Sequence, residues 1–136
     1  MSVTRHSRTA RFAGRLLQLL IVLFLLLDAV AHVLVPAPVV DAFARIGFPV
    51  HLSVAIGVLA AACLVLYVVP RTSVVGAILL TGYLGGATAI QLRAASPAFE
   101  VAFPVLCGAL VWCGLLLSRP DAQSTILGTK VRMVAS

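Results

Sequence analysis

Residues 16–35 read LLQLLIVLFLLLDAVAHVLV, with Arg15 before them and Pro36 after. At the α-helical rise, a run of that length covers about 30 Å, the thickness of a bilayer's hydrocarbon layer. The run is continuous, without the apolar/polar alternation of an outer-membrane barrel strand. In lipid, the backbone polar groups of such a run must be satisfied within the segment, which requires a helix.

Three further runs repeat the pattern at about 50–69, 73–92 and 97–117. The second stops at Pro70-Arg71 and the fourth at Ser118-Arg119-Pro120, where proline cannot continue a helix. Across 136 residues, 62% are apolar and 10% charged, with mean hydropathy +1.15. Soluble domains run at about 45–50% apolar and about 25% charged. A water-soluble core and a disordered chain are therefore excluded, and with three cysteines so is a disulfide-stapled scaffold. The expected fold is all-α: an integral membrane four-helix bundle, antiparallel and up-down. It comprises a basic N-terminus (1–14), the four spans within 15–119, and a short tail (120–136). A signal-peptide reading takes Arg5, Arg8, Arg11 and Arg15 as n-region and Leu16 to Leu27 as h-region. Against it, the apolar run continues to Val35 and no small-x-small cleavage site follows.

The ten Lys and Arg sort by side. Arg5, Arg8, Arg11, Arg15, Arg71, Arg119, Lys130 and Arg132 fall with the N-terminus; Arg45 and Arg93 fall opposite. The positive-inside rule then puts both termini in the cytoplasm. The net charge of +6 suits anionic lipid headgroups. The basic N-terminus has no aromatic interleaving and no recognition motif, so the lipid bilayer, not nucleic acid, is the expected partner. About three residues join the second and third spans, making them antiparallel neighbours. In the longer outer loop, Val39 to Ile46 carries apolar residues at helical spacing, ended by Gly47 and Pro49. This predicts a short helix on the membrane surface.

Small residues let helices approach in lipid. Gly82-x-x-x-Gly86 and Gly85-x-x-x-Ala89 in the third span, with Gly108 in the fourth, are expected to pack the bundle; a homodimer face is the alternative. Ionisable groups within spans are costly and count as functional candidates. Asp28 lies about 10 Å below the outer end of its span, with His32 four residues on. Gln91 and Arg93 end the third span at that level, Thr88 lies a turn before them, Glu100 opens the fourth span, and His51 opens the second. Candidate ligand-binding residues are Asp28, His32, Gln91, Arg93 and Glu100. One reading pairs Asp28 with Arg93 or His32 to hold helices together. The other places these groups around an outward-opening cavity for a polar ligand or quinone headgroup, with His32 supplying proton exchange near neutral pH. Trp112 and Tyr67 read as interfacial anchors. Tyr83 needs a hydroxyl partner in Thr81 or another helix, and Pro104 is expected to kink the fourth span.

No catalytic residue is identified. Cys63, Cys107 and Cys113 are isolated, without Cys-x-x-Cys. No zinc spacing and no phosphate-cradling glycine loop occurs, since Gly82 to Gly86 lies within a span. No cofactor motif is evident, and an intrinsic enzyme is not supported.

The stretch from Gly76 to Ala89 (GAILLTGYLGGATA), followed by Gln91-Leu92-Arg93, resembles the third-helix signature of the DoxX-like family. Val69-Pro70-Arg71-Thr72, Leu27-Asp28-Ala29-Val30, the loop Pro38 to Pro49, Phe103-Pro104-Val105-Leu106 and Leu110 to Leu115 fit the same pattern, over about residues 15 to 119. His32 stands where many relatives carry Lys. The resemblance implies a four-helix protein of the bacterial inner membrane. It also implies a link to quinone-reducing membrane subunits of sulfur oxidation, or to membrane complexes that handle oxidative and thiol stress. Most members have no assigned activity. The expected role is therefore a non-catalytic subunit or scaffold of a membrane redox or stress complex. The alternative is a quinone- or metabolite-binding oxidoreductase subunit or a transporter-like module.

Overall fold

A computed structural model describes residues 8–119 and Ala122. Its elements are α1 (Arg8–Leu34), α2 (Ala37–Arg45), a 3₁₀ turn (Val50–Leu52), α3 (Ser53–Val68), α4 (Ser73–Arg93) and α5 (Ala98–Ser118). Among the described residues there is no strand. Four helical segments are long and apolar enough to cross a membrane: α1, the 3₁₀ turn continued by α3, α4 and α5. Between 17% and 33% of each segment's apolar window is buried inside the chain. Large apolar side chains such as Leu19, Leu27, Val58 and Val105 instead point outward, an arrangement suited to lipid rather than water.

α1 begins ahead of its apolar run. Its 27 residues extend about 40 Å, longer than a hydrocarbon layer of about 30 Å, and its first turns carry Arg8, Arg11 and Arg15. Positions i, i+3 and i+7 place these arginines on one face. α1 stops just before Val35, whose φ of 49° is left-handed and costly for a β-branched side chain. Pro36 follows, and its missing N–H prevents the helix from continuing. α2 closes with a Schellman arrangement: the Phe48 amide donates to the Phe43 carbonyl at 2.9 Å, and Gly47 adopts φ 65°. The accompanying apolar contact is the Phe43–Phe48 ring pair, centroids 5.8 Å apart.

α1 packs against α3 and α5, and α4 packs against the same two. The closest approaches occur at four glycines. A Cβ on Gly14 would lie 2.6 Å from Leu117 Cβ, one on Gly57 2.7 Å from the Ala29 carbonyl, and one on Gly114 3.2 Å from Gln18 Cα. At Gly76 it would collide with the backbone of Tyr67 and come within 2.6 Å of Leu66 C. These contacts join the start of one helix to the end of its neighbour in the pairs α1–α5, α1–α3 and α3–α4. The core between them comprises Ile21, Leu25, Leu64, Tyr67, Leu80, Leu84, Val111 and Leu115, with their neighbours.

Two expectations are corrected here. Gly82, Gly85 and Gly86 do not pack the helices together: a Cβ at any of them meets nothing within 4 Å, and Gly108 makes only an ordinary 3.8 Å contact with Leu84. The closely packed face of α4 is the one bearing Gly76, Ala77, Leu80 and Leu84, and the glycine repeat lies off it. Tyr67 is no interfacial anchor. It is fully buried, and its hydroxyl donates to the Val111 carbonyl at 2.8 Å, the partner a buried phenol requires. Trp112 donates through Nε1 to Thr81 Oγ1 at 2.9 Å, linking α5 to α4. Apart from Ala122, the tail expected over 120–136 lies outside the described residues.

Candidate functional site

A cavity of about 750 Å³ lies among the helices toward the end where α1 and α4 finish and α3 and α5 start. Its walls are mainly apolar: Phe24 and Leu25 from α1, Ile56 and Leu59 from α3, Leu79 and Ile90 from α4, and Phe103 and Pro104 from α5. Gly82 and Gly86 also line it. The glycine repeat therefore widens a hollow that side chains would narrow. The buried thiols Cys63 and Cys107 face the same space. Pro104 cannot donate to the Glu100 carbonyl, leaving an α5 backbone acceptor a turn above it.

The polar groups gather deep in the cavity and at its mouth. Asp28 is reached from α4 by the Tyr83 hydroxyl, which donates to Oδ2 at 3.4 Å, a long contact for an O–H donor. His32 Nδ1 lies 2.9 Å from the Asp28 carbonyl oxygen and 3.7 Å from its carboxylate. A carbonyl can only accept, so Nδ1 carries a proton, and Nε2 is the acceptor in the neutral ring. Ser53 fixes this end of α1 by donating to the His32 carbonyl at 2.8 Å. Gln91 accepts through Oε1 from Ser96 Oγ at 2.6 Å, which leaves its amide N–H₂ group for other partners.

α2 covers the mouth. Its residues Ala42, Phe43 and Arg45, with Ile46 just beyond its end, line the cavity, and the Phe43 ring meets the His32 ring edge-on at 5.7 Å. Arg45 Nη1 donates to Glu100 Oε1 at 3.1 Å, tying α2 to the start of α5. Arg45 is 63% exposed, and a pair so open to solvent contributes less than about 1 kcal/mol. The helix anticipated over 39–46 thus exists, and it roofs a hollow.

Of the five candidate residues, the structure brings Asp28, His32, Gln91 and Glu100 to this cavity; Arg93 is not among its lining residues. The anticipated Asp28–Arg93 pair does not form. Tyr83 is the α4 residue level with Asp28, and Arg93 lies ten positions further on, about 15 Å along the helix. Arg93 instead donates through Nη2 to the Ile46 carbonyl at 3.4 Å. Thr88 donates to the Leu84 carbonyl of its own helix, and His51 is exposed in the 3₁₀ turn. The sequence reading missed Arg45 and Tyr83 as site residues. Arg45 had a usable signal, since Ala42, Arg45 and Ile46 share one face of the anticipated helix. Among the described residues, no three His, Cys, Asp or Glu side chains gather as a metal ion would need.

Chemically, this is an apolar hollow with a few directional polar groups, and its volume falls within the range of about 300–1,000 Å³ seen for small-molecule sites. No curated protein and no solved structure matches the chain. The model of the DoxX-like family matches residues 16–114. That match covers two of the membrane-length segments whole, most of α1 and α5, and every polar residue of the cavity, and the chain belongs to the DoxX-like family.

Proposed function

We propose that this DoxX-like chain is the ligand-binding subunit of a membrane redox or stress complex, holding a quinone or a similar amphiphilic carbonyl compound in the cavity between its helices. The observation that carries the reading is the combination of a large apolar hollow with Tyr83, Asp28, His32 and Gln91 at its polar positions. The donor set fits the group: the Tyr83 hydroxyl and the free Gln91 amide protons suit carbonyl oxygens, Nε2 of neutral His32 suits a hydroxyl, and Gly82 and Gly86 leave room beside α4. A bound quinone supplies two-electron, two-proton redox chemistry. The chain's own residues bind its head, exclude water with the aromatic wall and α2 roof, and hold protons at Tyr83 and His32. The 3.4 Å contact from Tyr83 to Asp28 is weak enough for the hydroxyl to turn to a ligand.

The same reading takes the four segments as an antiparallel bundle in the bacterial inner membrane, both termini cytoplasmic and the cavity mouth outside. What supports this is the concentration of Arg on the side of the N-terminus. A reporter active only in the cytoplasm, fused after Ser136, is expected to be active; an inactive reporter inverts the orientation.

Binding of a decyl-chain benzoquinone to the purified chain in neutral detergent tests the ligand assignment. Saturable binding above that of empty micelles is expected, and Tyr83→Phe should weaken it about tenfold, the equivalent of one directional hydrogen bond. Partitioning that never saturates, or equal affinity in Tyr83→Phe, contradicts the assignment.

A further inference from the structure

A second cleft lies at the opposite end of the molecule, with a volume of about 630 Å³. Arg15 and Gln18 of α1, Arg71 and Ser73 at the α3–α4 connection, and Ser118 and Arg119 at the end of α5 face it. Among the described residues, no Asp or Glu lines it; Asp121 lies outside them. Three arginines from three separate parts of the chain therefore line one cleft with no carboxylate among its described lining residues, a concentration of positive charge that attracts an anion.

The site is also built. Arg119 is held by two bonds, Nη1 donating to Ser73 Oγ at 3.1 Å and Nη2 to the Val68 carbonyl at 3.4 Å. A guanidinium has five N–H groups, so others remain to donate. Gln18 accepts from Ser118 Oγ through Oε1 at 3.0 Å, leaving its N–H₂ group as a further donor. No ion pair forms between Arg15 or Arg71 and an acid among the described residues.

Position identifies the source of the anion. Arg15 directly precedes the apolar run of α1, Arg71 sits in the turn between two spans, and Arg119 directly follows the end of α5. All three stand at the border of the membrane-length segments, where lipid phosphates lie. Within about a turn of them, Leu16, Leu19 and Val75 are exposed, an apolar surface suited to acyl chains. Arg8 and Arg11 continue the charged face of α1 beyond the cleft. We infer that this cleft binds the phosphodiester headgroup of an anionic phospholipid in the leaflet on the side of the N-terminus, clamped by Arg15, Arg71 and Arg119. Basic pockets between spans recognise anionic headgroups by this chemistry. The inference is independent of the quinone reading, because the two hollows share no lining residue.

The test is native mass spectrometry of the full chain in neutral detergent, titrated with phosphatidylglycerol, phosphatidylcholine and inorganic phosphate. Phosphatidylglycerol should bind saturably and at least tenfold more tightly than phosphatidylcholine. Arg15→Gln with Arg71→Gln should lower its affinity at least tenfold, while Arg8→Gln with Arg93→Gln, which removes the same charge elsewhere, should keep most of it. Arg119 stays intact because it bonds other elements, and the single variant Arg71→Gln, in an exposed turn, should show part of the loss if the double variant fails to fold. Equal affinity in the Arg15/Arg71 variant and wild type overturns the site. Displacement of phosphatidylglycerol by equimolar inorganic phosphate overturns the lipid as its occupant and makes free phosphate the ligand.

Discussion

Gly76→Ala is expected to lower the stability of the fold, although alanine is the better helix former. The α4 backbone crosses α3 so closely at this point that the new methyl group would collide with the backbone of Tyr67 and approach Leu66 C to 2.6 Å. Backbone cannot rotate away as a flexible side-chain tip does, so α3 and α4 must part. Parting them disturbs fully buried Tyr67 and its bond to Val111. Overpacking costs about 1–3 kcal/mol and sometimes more, against a helix-propensity gain of about 1 kcal/mol. Because the clash is with backbone, the cost falls at the upper end of that range, and the net loss is about 2 kcal/mol. Gly85→Ala meets nothing within 4 Å and retains only the propensity gain. Unfolding of both variants in a denaturing-detergent titration checks this. A Gly76→Ala midpoint equal to that of wild type contradicts the α3–α4 crossing described above.

That contrast also shows what was legible in the sequence. Hydrophobic length located α1, α4 and α5 and the short α3–α4 turn, because backbone groups in lipid leave no alternative to a helix of about that length. It could not tell which glycines touch a neighbour. Gly82-x-x-x-Gly86 has the spacing of a packing motif, yet spacing alone does not say which face of α4 turns toward α3 and α5. The isolated Gly14, Gly57 and Gly76, which carry no such pattern among themselves, make the close contacts. The spacing of Asp28 and His32 along α1 was legible, since helical rise converts residue number into position along a helix. Their partners were not. Asp28 meets Tyr83 because α4, which finishes at the same end as α1, is laterally placed to reach it, which is a property of three-dimensional packing. Arg45 entered the site only through the fold of the outer loop, where the Schellman turn at Gly47 and the burial of Phe43 bring α2 across the cavity mouth.

The largest effect on ligand binding is expected at Gly86. Its neighbour Gly85 is an almost ideal comparison: both are exposed glycines of α4, and a Cβ at either meets nothing within 4 Å. They differ in direction, because Gly86 lines the large cavity and Gly85 does not. Leucine at either position should leave the fold intact. At position 86 it places four carbon atoms at the cavity wall, where a bound ring would otherwise make contact. At position 85 it only enlarges the outward apolar surface. Gly82→Leu, one turn earlier on the same wall, should act as Gly86→Leu does.

The decisive measurement is the affinity of Gly86→Leu and Gly85→Leu for the decyl-chain benzoquinone, taken on preparations with matched unfolding midpoints. A cavity that holds the ligand between the helices predicts at least a tenfold loss for Gly86→Leu and wild-type affinity for Gly85→Leu. Equal affinity in the two variants, whether both are retained or both lost, contradicts it.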